Sequence, residues 1–371
     1  MPKPSSVLRI EWPLAAVAIT TVLFLVFGKA WLADLSRSAT FVGLSAWLFV
    51  AMMMSAFGVV RHADVLAAKL GEPLGTLILT LAVTGMEVVM IAAIMYSDHG
   101  SSALARDAIF AVVMIILNGM VGLALLLGGL RHHEQTYNLQ GANAFLAVIL
   151  PLSVLGLVLP NLTVSTFGPT LSAMQAAFLI IASLVLYGVF LAIQTAVHRD
   201  YFVAPGAPAA TTAHAHLLRD AGSIGWHTSF LLLYAAPVVV LSKQMAAPIN
   251  HVVYSLGAPP EVGGFIVSVL ILSPEALGAT RAALANELQR SVNILLGSVL
   301  ASISLTIPCV LAIAFLTGRT IVLGLEPVDT AQLLLALGLS MLTFASARTN
   351  VLLGAVHILL FLTYLLLMFE R

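Results

Sequence analysis

Two stretches decide how this chain is read: LILTLAVTGMEVVMIAAIM at residues 77–95 and GGFIVSVLILSPEALGATRAA at residues 263–283. Each is a long apolar run with one carboxylate set inside it, Glu87 in the first and Glu275 in the second. About 20 such residues, rising 1.5 Å each as a helix, cross a hydrocarbon core of ~30 Å. An ionised side chain at that depth is costly unless paired, hydrated or neutralised, so carboxylates there mark an ion or proton path. The competing reading is a carboxyl kept protonated and hydrogen-bonded to a neighbouring helix. Two glutamates in equivalent places weigh against it.

The composition fits the same picture. Of 371 residues, 60% are apolar and 9% charged, against roughly a quarter charged in soluble domains. Mean hydropathy is +1.06. A soluble surface cannot be built from so few polar residues, which excludes a cytosolic enzyme, a nucleic-acid binder and a disordered chain. Sixteen basic residues balance sixteen acidic ones, so no charge excess points to a charged partner. The single cysteine, Cys309, allows neither an internal disulfide nor a Cys/His metal framework.

Eleven segments are long and apolar enough to span: 13–32, 40–60, 73–96, 108–130, 142–160, 171–197, 226–247, 262–284, 291–316, 331–347 and 350–369. They lack the alternation of barrel strands, so the expected fold is all-α, a polytopic membrane protein. The first segment follows Lys3 and Arg9 as a signal peptide would, but no small-residue cleavage site precedes Trp31, so it reads as a retained helix. With eleven spans, ten Lys and Arg fall on the side of the N-terminus and six on the other. That bias places the N-terminus in the cytoplasm and the C-terminus outside.

The longest polar interruption, HRDYFVAPGAPAATTAHAHLLRDAGSIG at 198–225, reads as a cytoplasmic linker. It divides the chain into an extra N-terminal helix (1–39), a first five-helix repeat (40–197) and a second (226–371). An odd number of helices per half means that related halves lie inverted in the membrane, a common transporter architecture. Glu87 and Glu275 each fall in the second helix of a half. The expectation is that they approach the midplane from opposite sides, their carboxyl groups within about 10 Å, close enough to engage one cation.

Thr76, Thr80, Thr84 and Glu87 share one helical face by their spacing, as do Ser268 and Glu275. The other reading of these hydroxyls is a bond back to their own helix. Gly85 and Pro274 stand beside the two glutamates and are expected to mark breaks or kinks. Proline has no N–H, so Pro274 leaves the Leu270 carbonyl without its helical donor, and oxygen is what a hard cation wants. The following helix of each half carries further polar groups: Asn118, a lone amide in an apolar run, and Asn293, Ser298 and Ser302. With Thr84 and Ser273 these form the expected supporting set around Glu87 and Glu275.

The paired acidic segments, TGMEVVMIAA and ILSPEALGAT, resemble the inverted repeats of the calcium/cation antiporter superfamily. The likeness points to its cation/proton exchanger branch, the bacterial ChaA-type calcium(sodium)/proton antiporters, and covers about residues 40 to 371. By this resemblance Glu87 and Glu275 correspond to the essential acidic residues, and the chain sits in a bacterial inner membrane. Thr84 and Leu272 stand where better-known members have Asn, and Ala276 where they have His.

The function expected is therefore a secondary active transporter exchanging a cation for protons. Ca2+ comes first, because two carboxylates balance a divalent charge, with Na+ or K+ as alternatives. The partners are inorganic cations, protons and the lipid bilayer, with no resident cofactor, no nucleic acid and no sign of oligomeric state. A cation channel, or a Na+(K+)/H+ antiporter without calcium transport, is the alternative. An intramembrane enzyme would need a nucleophile–base pair or metal cluster within the spans, and the sequence offers neither. His198, His214, His216 and His227 read as a solvated group around the linker, or more sharply as a cytoplasmic pH sensor.

Overall fold

The computed structural model describes residues 11–71, 74–96, 101–205 and 222–370. Lys3, Arg9, Pro73, Arg219, Arg371 and the linker histidines His214 and His216 lie outside the described residues. Every segment expected to span is a helix: α1 Trp12–Trp31, α2 Ser38–Leu70, α3 Leu74–Met95, α4 Leu104–His132, α5 Leu139–Asn161, α6 Ala173–Val197, α7 Ile224–Ser255, α8 Glu261–Leu284, α9 Leu288–Thr317, α10 Pro327–Thr343 and α11 Val351–Phe369. Ten are long and apolar enough to cross a membrane. The exception, α10, has 17 residues, which is about 25 Å of helix. It begins four residues earlier than expected because Pro327 suits a first helical turn, where no N–H is needed. Among the described residues the only strands are β1 Gln135–Thr136 and β2 Arg348–Thr349, which pair antiparallel.

Helix lengths repeat across the two halves. The series is 33, 22 and 29 residues for α2, α3 and α4, and 32, 24 and 30 for α7, α8 and α9. The third helix of each set contains a π-helical stretch, Ile115–Met120 in α4 and Ser302–Thr306 in α9. Gly85 and Pro274 do not interrupt their helices: α3 and α8 each run unbroken past them. Besides the π stretches of α4 and α9, further ones occur in α5, α6 and α7.

Compactness groups the helices differently from sequence order. One unit takes Met1–Ser101 and Pro208–Pro274, and the other Ser102–Ala207 and Glu275–Arg371. Each therefore draws helices from both halves, and the division falls within α8. In the first unit α2 and α7 make the most extensive contact, with α1 and α3 against them. Gly58 gives room to the Tyr234 ring, and Ser55 Oγ donates to the Tyr234 carbonyl at 2.6 Å. Phe24, Trp31 and Trp47 pack edge-on or tilted between α1 and α2.

In the second unit α4 is the most buried helix, 83% of its apolar window being enclosed. It meets α11 through small residues. A Cβ on Gly122 would stand 2.9 Å from the Ile358 nitrogen, and one on Gly354 would strike the Leu126 backbone. Without a hydrophobic driving force between helices in lipid, such close approach supplies the contact energy. The β1–β2 pair ties the turn after α4 to the turn before α11. Beside it Tyr137 donates its hydroxyl to the Ser346 carbonyl, and burial pushes that phenol above its usual range.

Candidate functional site

Glu87 is the fourteenth residue of α3 and Glu275 the fifteenth of α8. At 1.5 Å per residue each lies about 20 Å from its helix start, past the middle of a ~30 Å core. Glu87 is 1% exposed and Glu275 half-buried. No other ionisable side chain occurs within α3, whose only other polar side chains are the threonines Thr76, Thr80 and Thr84. Thr84 is buried one turn before it, and Thr80 and Thr76 continue the same face half-buried. The two glutamates belong to different compact units, and each is described within its own.

The supporting residues divide by what their polar atoms do. Ser273 Oγ donates to the Val269 carbonyl at 2.6 Å, and Ser268 Oγ to the Gly264 carbonyl at 2.8 Å, both within α8. These hydroxyls bond back to their own helix and satisfy it. Asn293 Nδ2 donates to the Phe202 carbonyl at 2.7 Å, and its Oδ1 accepts from Gln289 at 2.9 Å. That amide fastens α9 to the short turn Arg199–Phe202. Ser298 is half-buried, one turn before Ser302. Ser302 is buried at the start of the π stretch of α9, and Asn118 is buried inside that of α4, against which α9 packs. A π turn carries one extra residue and recurs at functional sites. Of the supporting set, Asn118 and Ser302 are thus held on matched irregular elements of one unit.

Three buried groups escape the sequence reading. His357 and Thr343 lie with Asn118 in one hydrogen-bonded chain. Their signal was present: His357 is the single ionisable mid-helix group of VLLGAVHILLFLTYLLLMF apart from Tyr364. In the first unit His62 and His227 face each other, Nδ1 to Nδ1 at 2.9 Å, and both are buried. The solvated reading of His227 therefore fails, because α7 begins early enough to carry it into contact with α2. Glu11 accepts from Arg61 and from Tyr234 next to this pair. At one end of the second unit, Arg106 donates to Asp107 at 2.8 Å, both buried.

Ten of the described helices are long and apolar enough to cross a membrane, and comparison with known proteins gives the family. The sodium/calcium exchanger protein family matches residues 40–196 and 226–370, so the chain belongs to that family. It is similar to y4hA of Sinorhizobium fredii (strain NBRC 101917 / NGR234), 41% identical over 332 residues that cover 89% of each chain. It is also similar to the sodium-potassium/proton antiporter ChaA of Escherichia coli (strain K12), 39% identical over 330 residues, 88% of this chain and 89% of that one. Among solved structures, native YfkE superposes with a TM-score of 0.73 at 16% identity, covering 97% of this chain and all of its own. That likeness carries the fold.

Proposed function

We propose that this chain is a secondary active antiporter that exchanges a cation for protons, with Glu87 and Glu275 as the groups for which the two compete. One observation carries the reading: in a chain of the exchanger family, each half holds one carboxylate at the same depth of its second helix. Ionised, a carboxylate binds a cation with help from neighbouring oxygens. Protonated, it is neutral and cheap to carry through an apolar interior. A carrier that reorients readily only when its carboxylates are satisfied, by cation or by proton, couples the two flows without ATP. A channel would need no counter-ion, and the family membership disfavours it.

Two carboxylates balance one divalent ion or two protons, which supports Ca2+ as cargo. One observation favours a monovalent reading: the 39% identical relative is named a sodium-potassium/proton antiporter. Thr84, Asn118 and Ser302 are the proposed supporting oxygens. The helix-length series and the matched π stretches support reading the halves as inverted repeats. The basic-residue bias supports a cytoplasmic N-terminus in a bacterial inner membrane. Purified protein in sealed vesicles with an imposed pH gradient tests the reading, with Ca2+, Na+ and K+ supplied in turn. Uptake of at least one of them that collapses with the pH gradient is expected. Flux of all three indifferent to the gradient contradicts it.

A further inference from the structure

The seam between α4 and α11 encloses a polar chain of which the antiport reading uses only Asn118, leaving His357 and Thr343 without a role. Asn118, Thr343 and His357 are all 0% exposed. His357 Nδ1 lies 3.3 Å from Asn118 Oδ1, and its Nε2 lies 2.9 Å from Thr343 Oγ1. Asn118 Nδ2 donates towards Met114 Sδ at 3.6 Å. The protons follow from what each atom can do. An amide oxygen only accepts, so Nδ1 carries the hydrogen. In a neutral imidazole Nε2 is then an acceptor, and the Thr343 hydroxyl donates to it. Turning the amide over would set its oxygen against a thioether sulfur, which has no proton to give. One ring thus joins three helices: it is carried on α11, anchored to α10 through Thr343, and holds an amide on α4.

We propose that His357 is a positioning residue for cation binding: it fixes the Asn118 oxygen, on the π stretch of α4, in the orientation that a cation meets. The inference rests on the antiport reading. An amide oxygen has two lone pairs, so accepting one N–H leaves the other for a cation. A hard cation takes oxygen ligands. Groups that orient a ligand from behind are typically worth tenfold to a hundredfold in metal affinity. The placement fits that role. His357 makes its bond from outside the π stretch, and Gly122, one turn beyond Asn118, lets α11 come near enough for the ring to reach: a Cβ there would sit 3.0 Å from the His357 Cβ. A mere internal brace would need only some hydrogen bond at this seam, whereas a positioning role needs the donor to Asn118 in particular.

Substitutions that keep different edges of the imidazole separate the two roles. In H357N the amide nitrogen takes nearly the place of Nδ1 and keeps the donor to Asn118. In H357Q the longer side chain reaches the place of Nε2 and keeps only the Thr343 partner. H357L keeps neither. Initial rates of cation uptake into vesicles with an imposed pH gradient are measured against cation concentration, using the ion the wild type carries best. H357Q and H357L are expected to raise KM about tenfold with a much smaller change in kcat, and H357N to recover most of that loss. Thermal unfolding of each variant in detergent accompanies the rates. If H357L does not fold, the comparison of H357Q with H357N decides. A wild-type KM in H357Q, or an H357N as impaired as H357Q, overturns the positioning role while leaving antiport intact. A wild type with no proton-coupled cation uptake overturns the antiport reading itself.

Discussion

A carboxylate inside an apolar helix is conspicuous because water is the cheapest place for its charge, so Glu87 and Glu275 are legible in the sequence alone. Hydroxyls and amides carry no such signal. A serine in a membrane helix can bond the carbonyl four residues back at almost no cost, and Ser268 and Ser273 do so. Asn293 illustrates the same ambiguity: its amide joins α9 to the turn at Phe202. The N293A variant loses this bond and the one from Gln289 and should therefore lower stability by about 2 kcal/mol, the net value of two hydrogen bonds, while KM for the cation moves little. Thermal unfolding and uptake measured on the same preparation check both halves of that statement. His357 was legible too, as a lone imidazole in an apolar run, but an uncharged histidine does not announce a cost as a glutamate does.

At the scale of elements, helix existence was fully legible and helix form was not. All eleven apolar segments are helices, because in lipid the backbone must satisfy itself. Nothing in hydropathy separates a π turn from an α turn, so the stretches Ile115–Met120 and Ser302–Thr306 emerged only from the structure. Pro274 and Gly85, the sequence's own candidates for irregularity, sit in continuous helices, since proline and glycine are tolerated where neighbouring groups take up the freed backbone. Close helix approach was legible as a tendency of small residues but not as a pairing. The α4–α11 seam depends on Gly354, whose missing side chain admits the Leu126 backbone. G354L should cost at least the 1–3 kcal/mol or so typical of overpacking, because the opposing atoms are backbone and cannot rotate away. A lowered melting temperature and a broadened gel-filtration peak are the expected readings; an unchanged melting temperature would mean that the seam does not pack this closely.

For the whole molecule, the sequence gives halves and the coordinates give compact units, and the two do not coincide. The halves are divided by sequence order, whereas compactness records which helices touch, and helices from both halves contribute to each unit. The proposed topology rests on neither but on the ten-to-six bias of Lys and Arg. A C-terminal reporter active only in the cytoplasm should accordingly stay silent, and a strong signal would reverse the orientation. The central claim is that one carboxylate per half is where cation and proton compete. The most direct measurement is proton-coupled cation uptake by E87Q and by E275Q, each in sealed vesicles beside the wild type. Each amide keeps the shape of the side chain and is easier to bury than a charge, so both variants should remain folded and monodisperse. The account predicts no uptake above empty vesicles from either; wild-type uptake from a folded E87Q or E275Q would contradict it.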